Sequence, residues 1–137
     1  MSVENNIRQL RRFFDEVCNN GQNDLNKQRY LIKEIFSESF NFNGVSRGHK
    51  DVEEYLSEIR RCFDSPQVRI DKQIGEEDRV STLRTWTGTQ ISEYQNQLPT
   101  GEPMTWTEIS VVRLVNGKIT DDWLVTSKLM NDPVISI

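Results

Sequence analysis

In the first half of the chain, apolar residues recur at the spacing of amphipathic helices, and three helices are predicted. The first ends near Asn20 and Gly21, the second opens with Asn23 or Asp24 as its N-cap, and the third ends before Pro66. The residues predicted to be buried in these helices are Val3, Ile7, Leu10, Phe14, Val17 and Cys18, then Leu25, Ile32, Ile35 and Phe36, then Val52, Tyr55, Leu56, Ile59 and Phe63.

From Pro66 onward apolar and polar residues alternate, which is the pattern of a β-strand. Long strands are predicted around residues 68–74, 79–91, 103–115 and 118–130, after a short strand at 40–43. Helices followed by hairpin-connected strands are typical of the α+β class, with the helices packed on one face of the sheet. We therefore predict a single α+β domain over residues 1–137, with three N-terminal helices packed on a mainly antiparallel sheet.

Composition excludes two classes of partner. The chain of 137 residues has a formal net charge of -4 and no cluster of lysine and arginine, whereas phosphate backbones and anionic lipids require a basic surface. We expect neither nucleic acid nor membrane as a partner. The N-terminal residues show no basic segment leading into an apolar stretch, and no window is long and apolar enough to span a bilayer, so a cytoplasmic location is expected.

No cofactor or metal is expected. Cys18 and Cys62 both fall on apolar helix stripes, where a thiol usually behaves as a small buried hydrophobe, so we predict two reduced core thiols. The single histidine, His49, lies in another segment, and no glycine-rich phosphate loop follows a strand.

Several short motifs follow one another in a fixed order along most of the chain. They are residues 48–56, 62–64, 78–80, 86–89 and 99–107, followed by the Asn116-Gly117-Lys118-Ile119 and Asp121-Asp122-Trp123 segments. Their order and spacing resemble those of the SnoaL-like polyketide cyclases. The resemblance implies the strongly curved, cone-shaped sheet of the nuclear-transport-factor-two-like (cystatin-like) superfamily, and a homodimer formed through the outer sheet face. This superfamily contains both enzymes and noncatalytic modules, so the fold alone does not give the chemistry.

The chain departs from the family pattern at the acid/base positions. Gln90 stands where the pattern commonly has histidine, Leu124 stands where it has aspartate, and Ser110 stands where related pockets often have a carboxylate or histidine. None of these three side chains can remove an acidic proton near neutral pH. We therefore expect no polyketide cyclase activity.

Two carboxylates remain as candidate catalytic residues, Glu108 and Asp122, with Arg84 or Gln90 orienting a substrate. Their orientation depends on the turn at Asn116 and Gly117. A three-residue loop with a bulge at Gly117 would pair Ser110 with Asp122 and Glu108 with Leu124, whereas a two-residue type I′ turn would pair Ser110 with Trp123 and Val112 with Asp121. Alternatively, Glu108 forms a structural ion pair with Arg84 across the strands, or Asp122 lies at a solvated mouth.

The remaining candidate ligand contacts are aromatic or amide side chains. Trp86 and Trp106 could stack on a planar ligand, although strand tryptophans more often belong to the core or to a dimer interface. Asn41 could direct its amide into a pocket or lie at a solvent-facing edge. Three functions remain open: a protein with a pocket for a small apolar molecule, an acid/base enzyme on a small hydrophobic substrate, and a noncatalytic self-association module.

Overall fold

The computed structural model describes residues 2–131. Its helical layer consists of α1 (Val3–Arg12), which continues into a π-helical segment (Phe13–Asn19) and a short 3-10 turn (Gly21–Asn23), followed by α2 (Leu25–Ile35) and α3 (His49–Cys62). Asp24 is the N-cap of α2, where its carboxylate accepts a hydrogen bond from the Lys27 amide at 3.1 Å. Within residues 2–131, none of the helices combines the length and the apolar character that a membrane crossing requires.

One curved sheet carries the helices. Its seven strands are β1 (Phe36–Phe42), β2 (Val45–Gly48), β3 (Phe63–Glu76), β4 (Arg79–Gln90), β5 (Pro103–Val115), β6 (Lys118–Thr126) and β7 (Met130–Asn131). The strand order is β2-β1-β6-β5-β4-β3, and the short β7 pairs with β5. All pairings are antiparallel except that of β1 with β6. The predicted α+β class with a mainly antiparallel, curved sheet is confirmed.

Several predicted boundaries were wrong. Helix α2 ends at Ile35 and α3 at Cys62, so Phe36 and Phe63 begin strands instead of ending helices. Leu25 lies at the solvated start of α2 and is 52% exposed, not buried. Strand β2 was not among the predicted strands. Both cysteines are free and buried, as predicted.

The connection between β5 and β6 differs from both predicted registers. Asn116 and Gly117 have φ angles of 53° and 79°, which form a two-residue type I′ turn closing the Val115 and Lys118 pair. The register then shifts beyond Leu114, because Thr120 is an extra residue on β6. This bulge pairs Ser110 with Leu124 and Val112 with Asp122. Both sets of predicted partners were therefore wrong. Because of the bulge, the side chains of Asp122 and Leu124 nevertheless lie on the same face of the sheet as Ser110, as the three-residue loop would also have placed them.

Candidate functional site

A cavity of about 370 Å³ lies between α3, the β1–β2 hairpin and the inner face of the sheet. Its apolar wall consists of Phe13, Phe36, Phe40, Phe42, Val52 and Leu124. Its polar wall consists of Arg47, Asp51, Glu54, Tyr55, Arg84 and Asp122. A cavity of this size with an apolar wall and a few polar groups is typical of sites for small molecules.

Behind the cavity wall, a buried hydrogen-bond network surrounds Glu108. Its Oε1 atom accepts hydrogen bonds from Arg84 Nε at 2.9 Å, Trp86 Nε1 at 2.9 Å and Tyr55 OH at 3.2 Å. Arg84 also donates from Nη1 to Ser110 Oγ at 2.7 Å. Glu108 is therefore occupied as an acceptor, which fits the predicted structural ion pair better than a free catalytic carboxylate.

Arg84 connects this network to the cavity. Burial is the largest single effect and lowers the pKa of the guanidinium, but Glu108, Tyr55 and Asp122 together outweigh it, so that this pKa is raised. The guanidinium carbon lies 4.6 Å from the centre of the Phe14 ring, in cation–π geometry. Within residues 2–131, Nη2 of Arg84 makes no hydrogen bond, so this amino group is left to donate to a ligand.

Asp122 is the carboxylate without a compensating partner. It is partly buried as a residue, but its Oδ1 atom is buried and has no hydrogen-bond partner in the described part of the chain. Burial raises the pKa of Asp122 to about 6, which the Arg84 charge opposes and the Glu108 charge reinforces. An aspartate with such a pKa can accept or donate a proton near neutral pH.

The β1–β2 turn holds Asp122 and Leu124 in place. Asn43, in the left-handed region at φ 49°, donates from its backbone amide to the Asp122 carbonyl at 2.9 Å. Its side-chain Oδ1 accepts from the Leu124 amide at 2.8 Å, and its Nδ2 donates to the Leu124 carbonyl at 3.2 Å. These bonds extend the parallel pairing of β1 with β6 past Phe42 and fix the strand that carries Asp122.

The structure brings only part of the predicted site to the cavity. Asp122, Arg84 and Leu124 line it, while Glu108 and Ser110 lie behind Arg84. Phe13, Phe36, Arg47 and Glu54 also line the cavity and were not among the predicted site residues. Phe40 and Phe42 lie two residues apart in the predicted strand at 40–43, and this spacing could have indicated the wall because it puts both rings on one face.

The other predicted ligand contacts lie elsewhere. Trp86 and Trp106 are buried in the core, stacked with centroids 5.6 Å apart and an interplanar angle of 4°. Gln90 is buried and donates from Nε2 to the carbonyls of Ser92 and Gln97. Asn41 is exposed and donates to Asp121 at 3.3 Å, because strand alternation turns it away from the buried Phe40. None of these four side chains lines the cavity, and Trp86, Trp106 and Asn41 occupy the core and edge positions that were the alternatives to ligand contact.

No group of three or more histidine, cysteine, aspartate or glutamate side chains within residues 2–131 is arranged to hold a metal ion.

The family model described as SnoaL-like polyketide cyclase matches residues 8–130. No curated protein matches the chain by sequence.

Solved structures share the fold at low sequence identity. A SnoaL-like polyketide cyclase from Agrobacterium tumefaciens aligns with a TM-score of 0.78 at 12% identity, covering 93% of this chain and 94% of that one. TsrD from Streptomyces laurentii aligns with a TM-score of 0.78 at 12% identity, covering 93% and 91%. AclR from Streptomyces galilaeus aligns with a TM-score of 0.72 at 21% identity, covering 92% and 81%.

Proposed function

Because the chain belongs to the SnoaL-like polyketide cyclase family, we propose that it is an acid/base enzyme acting on a small apolar carbonyl compound. Asp122 is the proton acceptor, and the substrate occupies the cavity of about 370 Å³. The observation that carries this proposal is the Asp122 side chain, which lines a mainly apolar cavity, has a buried Oδ1 without a hydrogen-bond partner within residues 2–131, and has a pKa of about 6.

In the proposed reaction, the ionised Asp122 takes a proton from the carbon next to the carbonyl group. The electron pair of the broken C–H bond moves onto the carbonyl oxygen and forms an enolate. Arg84 donates from Nη2 to that oxygen, and its hydrogen bonds to Glu108 and Ser110 hold the guanidinium in place as charge develops. Returning a proton to the same carbon completes an exchange, and returning it to the γ carbon of the dienolate formed from a β,γ-unsaturated carbonyl substrate completes an isomerisation.

The polyketide cyclase reaction itself lies outside this proposal. Leu124 has no proton to exchange, and the Gln90 amide is held by loop carbonyls away from the cavity. Asp122 could enolise a β-keto ester, but the groups that the family pattern has at positions 90 and 124 are missing for ring closure, so we retain the expectation of no cyclase activity.

The first test is proton exchange in deuterated buffer, followed by NMR, with bicyclic ketones such as tetralone and indanone. We expect the protein to accelerate deuterium uptake next to the carbonyl group. The rate should rise with pH and level off above about pH 6, because only the ionised Asp122 is a base. Uptake that never exceeds the buffer rate, or a rate that is independent of pH across this range, would refute the proposal.

A second candidate function, self-association, is favoured by the outer face of the sheet. Ile109 pairs with Val125 and Val111 with Trp123 across β5 and β6, and these four side chains are between 41% and 70% exposed. Adjacent apolar side chains on a solvated sheet face are typical of association surfaces. We propose that this patch pairs with a second copy of the chain in an isologous dimer.

A double variant, Trp123→Ser with Val125→Thr, tests the dimer. We expect the wild-type chain to have the mass of two chains by light scattering and the double variant to have the mass of one, because the patch centre is removed. Tyr30→Ser is the matched control, since Tyr30 is 60% exposed but lies on helix α2. A wild-type monomer, or a dimer that survives the double substitution, would contradict the proposal.

A further inference from the structure

The charged side chains around the cavity give it a net negative charge. Arg84 is paired with Glu108 at 2.9 Å, and Arg47 with Asp51 at 3.9 Å. Two charged side chains that line the cavity are in neither of these ion pairs: Glu54 at the exposed rim and Asp122 in the wall. These two carboxylates would repel an anionic ligand and attract a cationic one.

The apolar wall is aromatic on one side. The Phe13 and Phe36 rings have centroids 5.1 Å apart at an angle of 78°, and the Phe36 and Phe40 rings have centroids 5.0 Å apart at 44°. Together with Phe42 they place four rings around one cavity. The negative face of an aromatic ring attracts a cation, and attracts it more strongly where water is excluded.

The Asp122 carboxylate, which lines the cavity, supplies the remaining half of a cation site. Its buried Oδ1 lacks a hydrogen-bond donor in the described part of the chain. A protonated amine would provide both the donor and the opposite charge, in a hydrogen bond stronger than one between neutral groups.

We propose that the cavity binds small apolar amines in their protonated form, with the ammonium group on Asp122 and the hydrocarbon body among Phe13, Phe36, Phe40 and Phe42. The ligand class is a cation with a compact hydrocarbon body. This binding uses the same cavity as the proposed enzymatic function but requires no turnover. Bound amines would therefore inhibit any reaction that takes place there.

Arg84 is the group that could oppose an ammonium ion, and its hydrogen bonds limit that effect. Its Nε and Nη1 atoms donate to Glu108 and Ser110, so its charge is partly neutralised on the side away from the cavity. The charged and titratable groups around Asp122 are Arg84 from β4, Glu108 from β5, Arg47 from β2, and Asp51, Glu54 and Tyr55 from α3.

The test is isothermal titration calorimetry with three probes that share one rigid hydrocarbon body: adamantylamine, adamantanol and adamantane carboxylate. At about pH 8 we expect the amine to bind at least about tenfold more tightly than the alcohol, and the carboxylate to bind most weakly. The preference for the amine should shrink on acidification below about pH 6, as Asp122 becomes protonated.

Asp122→Asn should lower the affinity for the amine to about that for the alcohol, and an unchanged circular dichroism spectrum would report that the variant is folded. Asp121→Asn is the matched control, because Asp121 lies on the neighbouring position of β6 and is bonded to Asn41 and Thr120. Any of four results would overturn the proposal. They are equal affinities for amine and alcohol, tightest binding of the carboxylate, no binding of any probe, and a preference for the amine that survives Asp122→Asn. Amine binding without proton exchange would refute only the enzymatic function, and exchange without amine binding would refute only this inference.

Discussion

Replacing Glu108 with alanine is expected to lower the free energy of unfolding by about 3–5 kcal/mol, the usual cost of leaving a buried charge without its partner. The side chains of Arg84 and Glu108 are only 6% and 3% exposed, so water cannot replace the lost carboxylate. Trp86 and Tyr55 would lose their acceptor in the same step. Urea unfolding followed by tryptophan fluorescence measures the change.

A second ion pair in the chain provides the control. Arg29 and Glu53 bring the same atoms together, Nε and Oε1, at 2.7 Å, but their side chains are 57% and 29% exposed. Glu53→Ala should therefore cost no more than about 1 kcal/mol, because solvent screens the remaining charge. The double variant Arg84→Met, Glu108→Leu should be more stable than Glu108→Ala alone, since it leaves no unpaired charge. Equal losses for Glu108→Ala and Glu53→Ala would show that burial does not set the energy of this network.

The sequence allowed the long elements to be predicted because each repeats one period over many residues. Strand β5 was predicted with the bounds that the structure gives it, and the Asp24 cap was one of two positions proposed. Both signals are local: an alternation along a single strand, and a side chain that can accept from the first turn of its own helix.

The register that places Asp122 could not be predicted, because it depends on contacts between distant segments. The bulge at Thr120 lies where β6 pairs with β1 as well as β5, and Asn43 holds the backbone of β6 from the other side. Sequence spacing cannot show whether an extra residue lies in a turn or in a strand. Likewise, the sequence does not show whether Glu108 or Asp122 is left without a partner, because this depends on which of the two forms the ion pair with Arg84.

Replacing Asp122 with asparagine is expected to change stability and activity in opposite directions. Burial raises the pKa of Asp122 from 3.8 to about 6, so between these values the folded state holds a proton that the unfolded chain has released. The free energy of unfolding therefore falls as pH rises through this window, and the loss remains above it. At about 1.4 kcal/mol per pKa unit, the ionised carboxylate costs roughly 3 kcal/mol at about pH 8. Asparagine, which cannot ionise, should recover about 2–3 kcal/mol there and almost nothing near pH 4.

The same substitution should lower the rate of proton exchange about a hundredfold to ten-thousandfold, the usual loss when a general base is removed. Urea unfolding at two pH values and exchange rates measured by NMR on the same samples test both effects. Asp121→Asn should leave the exchange rate unchanged, because Asp121 does not line the cavity. It should lower stability slightly, because the hydrogen bonds from Asn41 and Thr120 lower the pKa of Asp121 and so favour its ionised form in the folded state. A variant that loses activity together with stability would mark Asp122 as a structural residue. Higher stability with lost activity is the expected result. The ionised form of Asp122 is the form that acts as a base, and it is also the form that burial in an apolar cavity makes unfavourable.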